Sequence, residues 1–293
     1  MIVEKPKKTS NKLHAALFSI KANSFLIILK AVVAVITGSI AIIAELAHSL
    51  FDMFASILAY VGIKKAEKAE DSCHPYGHER YENISALAQT ILIVVTSIFV
   101  MYEAVIRLFE PKPVSSLEIG LVVMIVIIGI DYFVSRYLHK ASKDYGSSAL
   151  EADAYHFTTD LWGAISVVIG LVFVILGFPI FDSIAAIAVA VLMLVISYKL
   201  GKGAINVLLD KSPCEDVMKK IEAAILSVKK VKSFHKLKAR YMGNKILVDL
   251  HIHVSPMISV AEGHSISHEL KKKLKQKVPE IKDVIVHVEP IDS

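Results

Sequence analysis

His48-Ser49-Leu50-Phe51-Asp52 and His156-Phe157-Thr158-Thr159-Asp160 are two copies of one pattern, His-x-x-x-Asp, each inside a long apolar stretch. An i,i+4 spacing puts both side chains on one helix face. Ionisable groups at membrane depth are expensive and usually mark an ion pathway or a proton relay. Two such helices brought together offer two imidazoles and two carboxylates: His48, Asp52, His156 and Asp160. That set suits a divalent transition metal, whose charge cancels the two carboxylates. Either motif alone could be a His–Asp pair satisfying itself inside a bundle. The same donors appearing twice argue for a site.

The surrounding composition agrees. The chain has 293 residues, 54% of them hydrophobic, and a mean hydropathy of +0.56. That is too apolar for an ordinary soluble protein and fits a polytopic membrane protein with a soluble part. A transmembrane helix needs about 20 apolar residues, and six segments qualify: Leu17–Thr37, Ser39–Gly62, Ile84–Phe109, Leu117–Leu138, Ala149–Leu176 and Ile180–Leu200. Lys21 and Lys30 interrupt the first, and a lysine near a span end can snorkel. His48, Asp52, Asp131, Asp153, His156, Asp160 and Asp182 interrupt others and should face the bundle interior.

Lysine and arginine set the expected orientation. Lys5, Lys7, Lys8 and Lys12 precede the first span. Lys64, Lys65, Lys68 and Arg80 follow the second, Arg136, Lys140 and Lys143 the fourth, and Lys199 and Lys202 the sixth. The alternate connections hold Gly38, then Arg107 and Lys112, then Gly177-Phe178-Pro179. Both termini are therefore expected in the cytoplasm. No signal-peptide pattern opens the chain. A net charge of +5 does not call for nucleic acid. Cys73 and Cys214 fall in segments expected in the cytosol, where a disulfide is disfavoured.

The composition changes near Asp210-Lys211-Ser212-Pro213, which divides the chain into a membrane domain, 1–210, and a soluble domain, 211–293. Ser212-Pro213-Cys214-Glu215 reads as a capping box opening a helix to Val228. A strand is expected over Val231–Ala239. Ile246–Val254 alternates, with Val248, Leu250, Ile252 and Val254 on one face and Asp249, His251 and His253 on the other. Ser259-Val260-Ala261-Glu262 caps a helix to Gln276, and Val284–Glu289 is the last strand. The fold class is a six-helix transmembrane bundle followed by a small α+β domain of order α-β-β-α-β.

Two further clusters have ligand chemistry. Asp71, His74 and His78 lie in the connection after the second span, with Cys73 as an added soft donor. A polar loop that happens to hold two histidines is the plain alternative. Half of the 12 histidines lie in the tail: His235, His251, His253, His264, His268 and His287, with Glu289 beyond. His251 and His253 share a strand face, as do His287 and Glu289. His268 and His253 read as solvated, and Glu262 as a cap. Asp153, three residues before His156, is a partner to the site, a proton relay or a structural carboxylate.

With these features the chain resembles the cation diffusion facilitator family. The likeness covers nearly the whole length. It is strongest at Ala44–Asp52, at Asp71–His78 running into Gly77-His78-Glu79-Arg80, and at Ala152–His156 through Asp160. The resemblance implies that His48, Asp52, His156 and Asp160 form the transport site. It also implies that Asp71, His74 and His78 form a loop site, and that His235, His251, His264, His287 and Glu289 bind metal in a ferredoxin- or metallochaperone-like cytosolic domain. The last of these is often Asp in the family and is Glu here. It further implies a homodimer in the plasma (inner) membrane, exchanging metal for protons, with Arg80 and Asp210 as an ion pair that holds it.

Histidine and carboxylate ligands must be deprotonated to bind metal, so metal binding and proton release are linked. Zn(II) suits the donor set best, as substrate and as regulatory ligand. Fe(II), Cd(II), Co(II) and Ni(II) are compatible with it, and histidine at position 48 goes with zinc in the family. The expected activity is Zn(II)/proton antiport that exports metal, with no organic cofactor and no enzymatic reaction. A metal-dependent intramembrane hydrolase lacks His-Glu-x-x-His and a general base. A non-transporting metal sensor or scaffold, and a channel without proton coupling, are the other readings.

Overall fold

The structure, a computed structural model, describes residues 6–37, 40–109, 117–176, 178 and 180–291. Lys5, Gly38, Lys112, Gly177 and Pro179, used above for orientation, lie outside the described residues, as do the side chains of Lys7, Lys8, His48 and Asp182. The backbone divides into two compact units, one running up to Ile205 and the other from Asn206 onward.

Six long helices come first: α1 Pro6–Thr37, α2 Ile40–Ala66, α3 Tyr81–Phe109, α4 Leu117–Tyr145, α5 Ser148–Ile175 and α6 Ile180–Leu208, the last of which ends just past the division between the units. In hydrocarbon a helix satisfies its backbone polar groups internally, which is why apolar runs of this length become helices. Among the described residues, Asn11–Val32, Tyr81–Phe109 and Ser183–Leu208 are long and apolar enough to cross a membrane by length and composition. Several helices run past the apolar stretches, α4 to Tyr145 and α6 to Leu208. The sequence reading stopped where hydrophobicity stopped, whereas helix geometry continues through polar residues.

Helix α1 packs on α2, and α4 on α5; α2 also meets α3 and α5. One buried stripe on α1 runs Ser19, Asn23, Leu26, Lys30. One on α4 runs Ile127, Asp131, Val134, Leu138. Both have the i, i+4, i+7, i+11 spacing of a single helix face. The tight α4–α5 turn depends on Gly146 at φ 59°, a conformation that favours glycine. Ser147 then caps α5, accepting the Leu150 amide on Oγ at 3.3 Å. Ser147 also donates to Glu82 Oε2, and Glu82 Oε1 pairs with Lys12 at 2.8 Å. This clasp ties α1, the start of α3 and the start of α5.

The second unit contains α7 Glu215–Leu226, β1 Ser233–Met242, β2 Lys245–Val254, α8 Val260–Lys277 and β3 Ile281–Pro290. The sheet order is β1-β2-β3, with β1 antiparallel and β3 parallel to β2. The apolar face expected of β2 is buried with Ile221, Ile225, Leu270 and Leu274 of the helices. Its histidine face is therefore the one away from α7 and α8. The expected cap at Ser212 is corrected. Cys214 is the N-cap of α7 and makes no side-chain cap bond, so Pro213 precedes the helix. Ser259 does cap α8, accepting the Glu262 amide at 3.2 Å. The Glu262 carboxylate turns instead to Lys230 Nζ at 2.7 Å.

Candidate metal centres

The α2 and α5 motifs meet inside the bundle. His156 Nε2 lies 3.1 Å from Asp52 Oδ1 and 3.8 Å from Asp160 Oδ2. One donor atom from each of the three lies within 4.8 Å of the others, a spacing that one ion could bridge. Asp52 and His156 are buried, and Asp160 is partly exposed. His48 is on the same helix as Asp52, one turn earlier; its side chain lies outside the described residues.

Short polar side chains support this centre. Asn23 Nδ2 donates to the Asp52 carbonyl at 3.2 Å and to Ser56 Oγ at 2.9 Å. Ser56 Oγ donates to Asp153 Oδ1 at 2.9 Å and lies 2.6 Å from Ser19 Oγ. Asp153 is fully buried, and its Oδ2 has no hydrogen-bond partner among the described residues. It therefore belongs to a polar seam joining α1, α2 and α5.

Two buried charges in the bundle were not assigned to the site from sequence. Lys30 does not snorkel: it is only 5% exposed, and its Nζ donates to Ser49 Oγ at 2.7 Å. Asp131 is 2% exposed on the α4 stripe, and α4 packs on both α1 and α5. The helical stripes ending in Lys30 and containing Asp131 carried that signal.

The loop cluster is also assembled. Asp71 Oδ1 accepts the amides of His74 at 2.7 Å and Cys73 at 3.0 Å. His74 Nδ1 lies 3.2 Å from Asp71 Oδ1, and His78 Nε2 lies 3.3 Å from Asp71 Oδ2. The His74 amide, chiefly, holds the Asp71 carboxyl below the usual carboxylate range. His78 is buried, and its Nδ1 has no partner among the described residues. Cys73 contributes its amide; its thiol is outside the cluster. Arg80 stands one residue before α3, its carbonyl accepting the Asn83 and Ile84 amides.

On the open face of the sheet, register brings the histidines together. His235 is opposite His251, His251 beside His287, and His253 beside Glu289. A β-bulge between His235 and Lys238, with Lys236 at φ 48°, sets that register. An extra residue on one strand re-aims its side chains. Glu289 is the hub: Oε1 lies 2.8 Å from His251 Nδ1 and 3.3 Å from His287 Nε2. Its Oε2 lies 3.3 Å from His235 Nε2 and 3.6 Å from His253 Nε2. The bond from His251 lowers the Glu289 pKa, and the other imidazoles add to it. Desolvation lowers the pKa of His235.

His253, read as solvated, is part of this cluster, because its strand neighbour is Glu289. Ser233 Oγ fixes its ring at 2.7 Å from Nδ1. His264 is not brought to the cluster. It is exposed on α8, paired with His268 at a ring separation of 4.4 Å, because α8 covers the opposite face. Asp210 is bonded by Arg240 Nη1 at 3.0 Å within its own unit.

Comparison with known proteins matches two family models to the chain. Residues 16–209 match the cation efflux transmembrane domain, and residues 213–291 match the cation efflux protein cytoplasmic domain. The chain is 30% identical over 278 residues to the uncharacterized transporter MJ0449 of Methanocaldococcus jannaschii, covering 94% of this chain and 97% of that one. It is 28% identical to the manganese efflux system protein MneP of Bacillus subtilis, covering 94% and 95%. It is also 28% identical to the cation-efflux pump FieF of Shewanella oneidensis, covering 91% and 90%. The metal-bound C-terminal domain of the CzcD transporter from Thermotoga maritima is 27% identical. That match covers 27% of this chain and 91% of that one, at a TM-score of 0.26.

Proposed function

This chain belongs to the cation efflux family, the cation diffusion facilitators, and on that premise we propose that it exports Zn(II) from the cytosol in exchange for protons. The family moves divalent metal cations across membranes, and this chain is a multi-pass member of it. The observation that carries the finer reading is the convergence of Asp52, His156 and Asp160 inside the helical unit. Two carboxylates and an imidazole, with His48 as the fourth donor, favour a tetrahedral borderline metal. A relative named for manganese efflux keeps Mn(II) as the competing cargo; harder oxygen-only sets suit that ion better.

Proton coupling follows from the same donors. Each must release its proton to bind metal, and unpaired carboxylates in an apolar bundle are costly. Metal and protons therefore replace one another. In this reading the chain works as a homodimer with cytoplasmic termini in the plasma (inner) membrane, and it has no enzymatic activity. Arg80 and Asp210 are its proposed ion pair. The loop donors Asp71, His74 and His78 and the sheet donors around Glu289 bind regulatory metal.

The test uses the full chain in reconstituted vesicles, following Zn(II) uptake and lumenal pH together, with Asp160→Ala beside the wild type. Saturable zinc flux with opposite proton flux, lost in the variant, is expected. Zinc binding without flux would leave a sensor or scaffold, and flux without proton movement would leave a channel. Mn(II) outcompeting Zn(II) at equal concentration would reassign the cargo.

A further inference from the structure

Lys21 is an exposed cation on the outer side of α1, and none of the metal centres uses it. It lies a little over one turn past Leu17, where the first apolar stretch begins. No hydrogen-bond or ion-pair partner of Lys21 stands among the described residues. Its side chain borders a groove of about 560 Å³ between α1 and α4, whose walls are otherwise apolar: Phe18 and Phe25 on α1, and Gly129, Ile130 and Phe133 on α4. Phe18, Lys21 and Phe25 have the i, i+3, i+7 spacing of one exposed helix face. A Cβ built at Gly129 meets nothing within 4 Å, so the space in front of it is open. Phe18 meets Tyr137 edge to face, with ring centroids 4.8 Å apart. Phe18 and Lys21 therefore mark the end of the groove nearer Arg136 and Lys140 of α4, both exposed.

A cation without a partner is expensive at membrane depth. Snorkelling brings the Lys21 ammonium toward the headgroups along its own stem, and there it still needs a counter-ion. A lipid phosphate supplies one, while an acyl chain of the same molecule fills the apolar groove. Basic pockets between transmembrane helices on the cytoplasmic side take anionic headgroups in this way. A zwitterionic headgroup carries its own ammonium, which competes with Lys21 for the phosphate; an anionic headgroup does not.

We propose that the α1–α4 groove is a binding site for one anionic phospholipid of the cytoplasmic leaflet, with its phosphate on Lys21 and one acyl chain against Phe25, Gly129 and Phe133. The leaflet follows from the proposed cytoplasmic termini. The site itself is independent of the metal and of proton coupling, so it stands or falls apart from the transport reading.

The full chain, purified in detergent and stripped of lipid, is mixed with equal amounts of dioleoyl phosphatidylglycerol and dioleoyl phosphatidylcholine. Native mass spectrometry then counts the lipid held most tightly and the number of chains in the assembly. Wild type should retain phosphatidylglycerol about fivefold over phosphatidylcholine, the factor equivalent to about 1 kcal/mol for one lysine at a membrane surface. Lys21→Met should abolish the preference and Lys21→Arg should keep it. Gly129→Leu fills the groove without touching the charge and should lower retention of both lipids. Glycerol 3-phosphate, which has the headgroup chemistry without the chains, should not displace the lipid.

The inference is overturned if wild type shows no preference, if Lys21→Met keeps it, or if Gly129→Leu leaves retention unchanged. Displacement by glycerol 3-phosphate would assign Lys21 to a soluble anion instead. A smaller assembly in Lys21→Met or Gly129→Leu, with bound lipid unchanged, would assign the groove to a second copy of the chain.

Discussion

Gly62 is where a single methyl group should be felt most. A Cβ built there stands 2.3 Å from Ser85 Cβ, 2.7 Å from Ser85 Oγ and 3.3 Å from the Tyr81 carbonyl oxygen. Non-bonded carbons rest at about 3.5–4.0 Å, so Gly62→Ala must part α2 and α3 locally by about 1.2 Å. No rotamer relieves it, because both atoms are fixed to backbone. Overpacking of this kind costs about 1–3 kcal/mol. The Ser85 Oγ bond to the Leu58 carbonyl, 2.6 Å long, is lost if the helices separate, at about 1 kcal/mol more. Asp52 is about three turns earlier on α2, on the order of 15 Å along the axis. A shifted α2 therefore also disturbs the 3.1 Å approach of His156 to Asp52.

The assay is thermal unfolding of the purified chain, with zinc KM measured in vesicles. Gly62→Ala should melt several degrees lower and show a raised KM. Adding Ser85→Gly should return KM toward the wild-type value and recover part of the melting loss, because it removes the opposing Cβ at the expense of the Leu58 bond and of a glycine inside α3, whereas Ser85→Ala should recover neither. A Gly62→Ala protein as stable as wild type, or rescue by Ser85→Ala equal to that by Ser85→Gly, would refute the reasoning.

Two other outcomes follow from charges outside the spans. Burial pushes the Glu67 carboxyl up to about 7, with Lys12 opposing and Glu82 adding to the rise. The fold prefers its neutral form, so stability declines as pH rises from the ordinary carboxylate range toward 7, and the full cost is present above that. Glu67→Gln should therefore stabilise the chain at pH 8 by about 1 kcal/mol, after allowance for solvent screening, and leave melting at pH 4 unchanged. At the sheet, Glu289→Gln removes the carboxylate shared by four histidines. Zinc titrated onto the full chain carrying Asp160→Ala should bind this face at least tenfold more weakly at pH 7. At pH 5 the two proteins should converge, because protons compete with the metal for histidine donors in both.

The six helices and the α-β-β-α-β order were legible because each depends on a local period. Ile246–Val254 alternates, and the alternation puts His251 and His253 on one face. What joins His253 to Glu289 is the parallel pairing of β2 with β3, which is separated from it in sequence by the whole of α8. No local pattern encodes that register, so His253 read as solvated. The same applies to the bulge at Lys236, without which His235 would not face His251. His264 failed in the opposite sense: its type suited a ligand, but α8 packs on the face away from the sheet histidines. Ser212 looked like a cap by spacing alone, yet Cys214 is the N-cap of α7. Lys30 and Asp131 were visible as interruptions of apolar spans. Their burial depends on how α1 and α4 pack, which the spans by themselves do not specify.

The three donor clusters differ in burial, and burial separates their proposed roles. Asp52 and His156 are shielded from solvent, so leaving their carboxylate centre empty and ionised is costly, and a proton or a metal must fill it. That penalty makes the centre suited to exchange. Asp71 and His74 are exposed, and only His78 is buried. Around Glu289 the carboxylate already has the His251 imidazole as a hydrogen-bond partner in the absence of metal, and the face remains accessible. Neither outer cluster pays much for being empty, so each can report metal concentration by filling or not filling. In the proposed reading a buried donor set moves an ion, and exposed sets sense it.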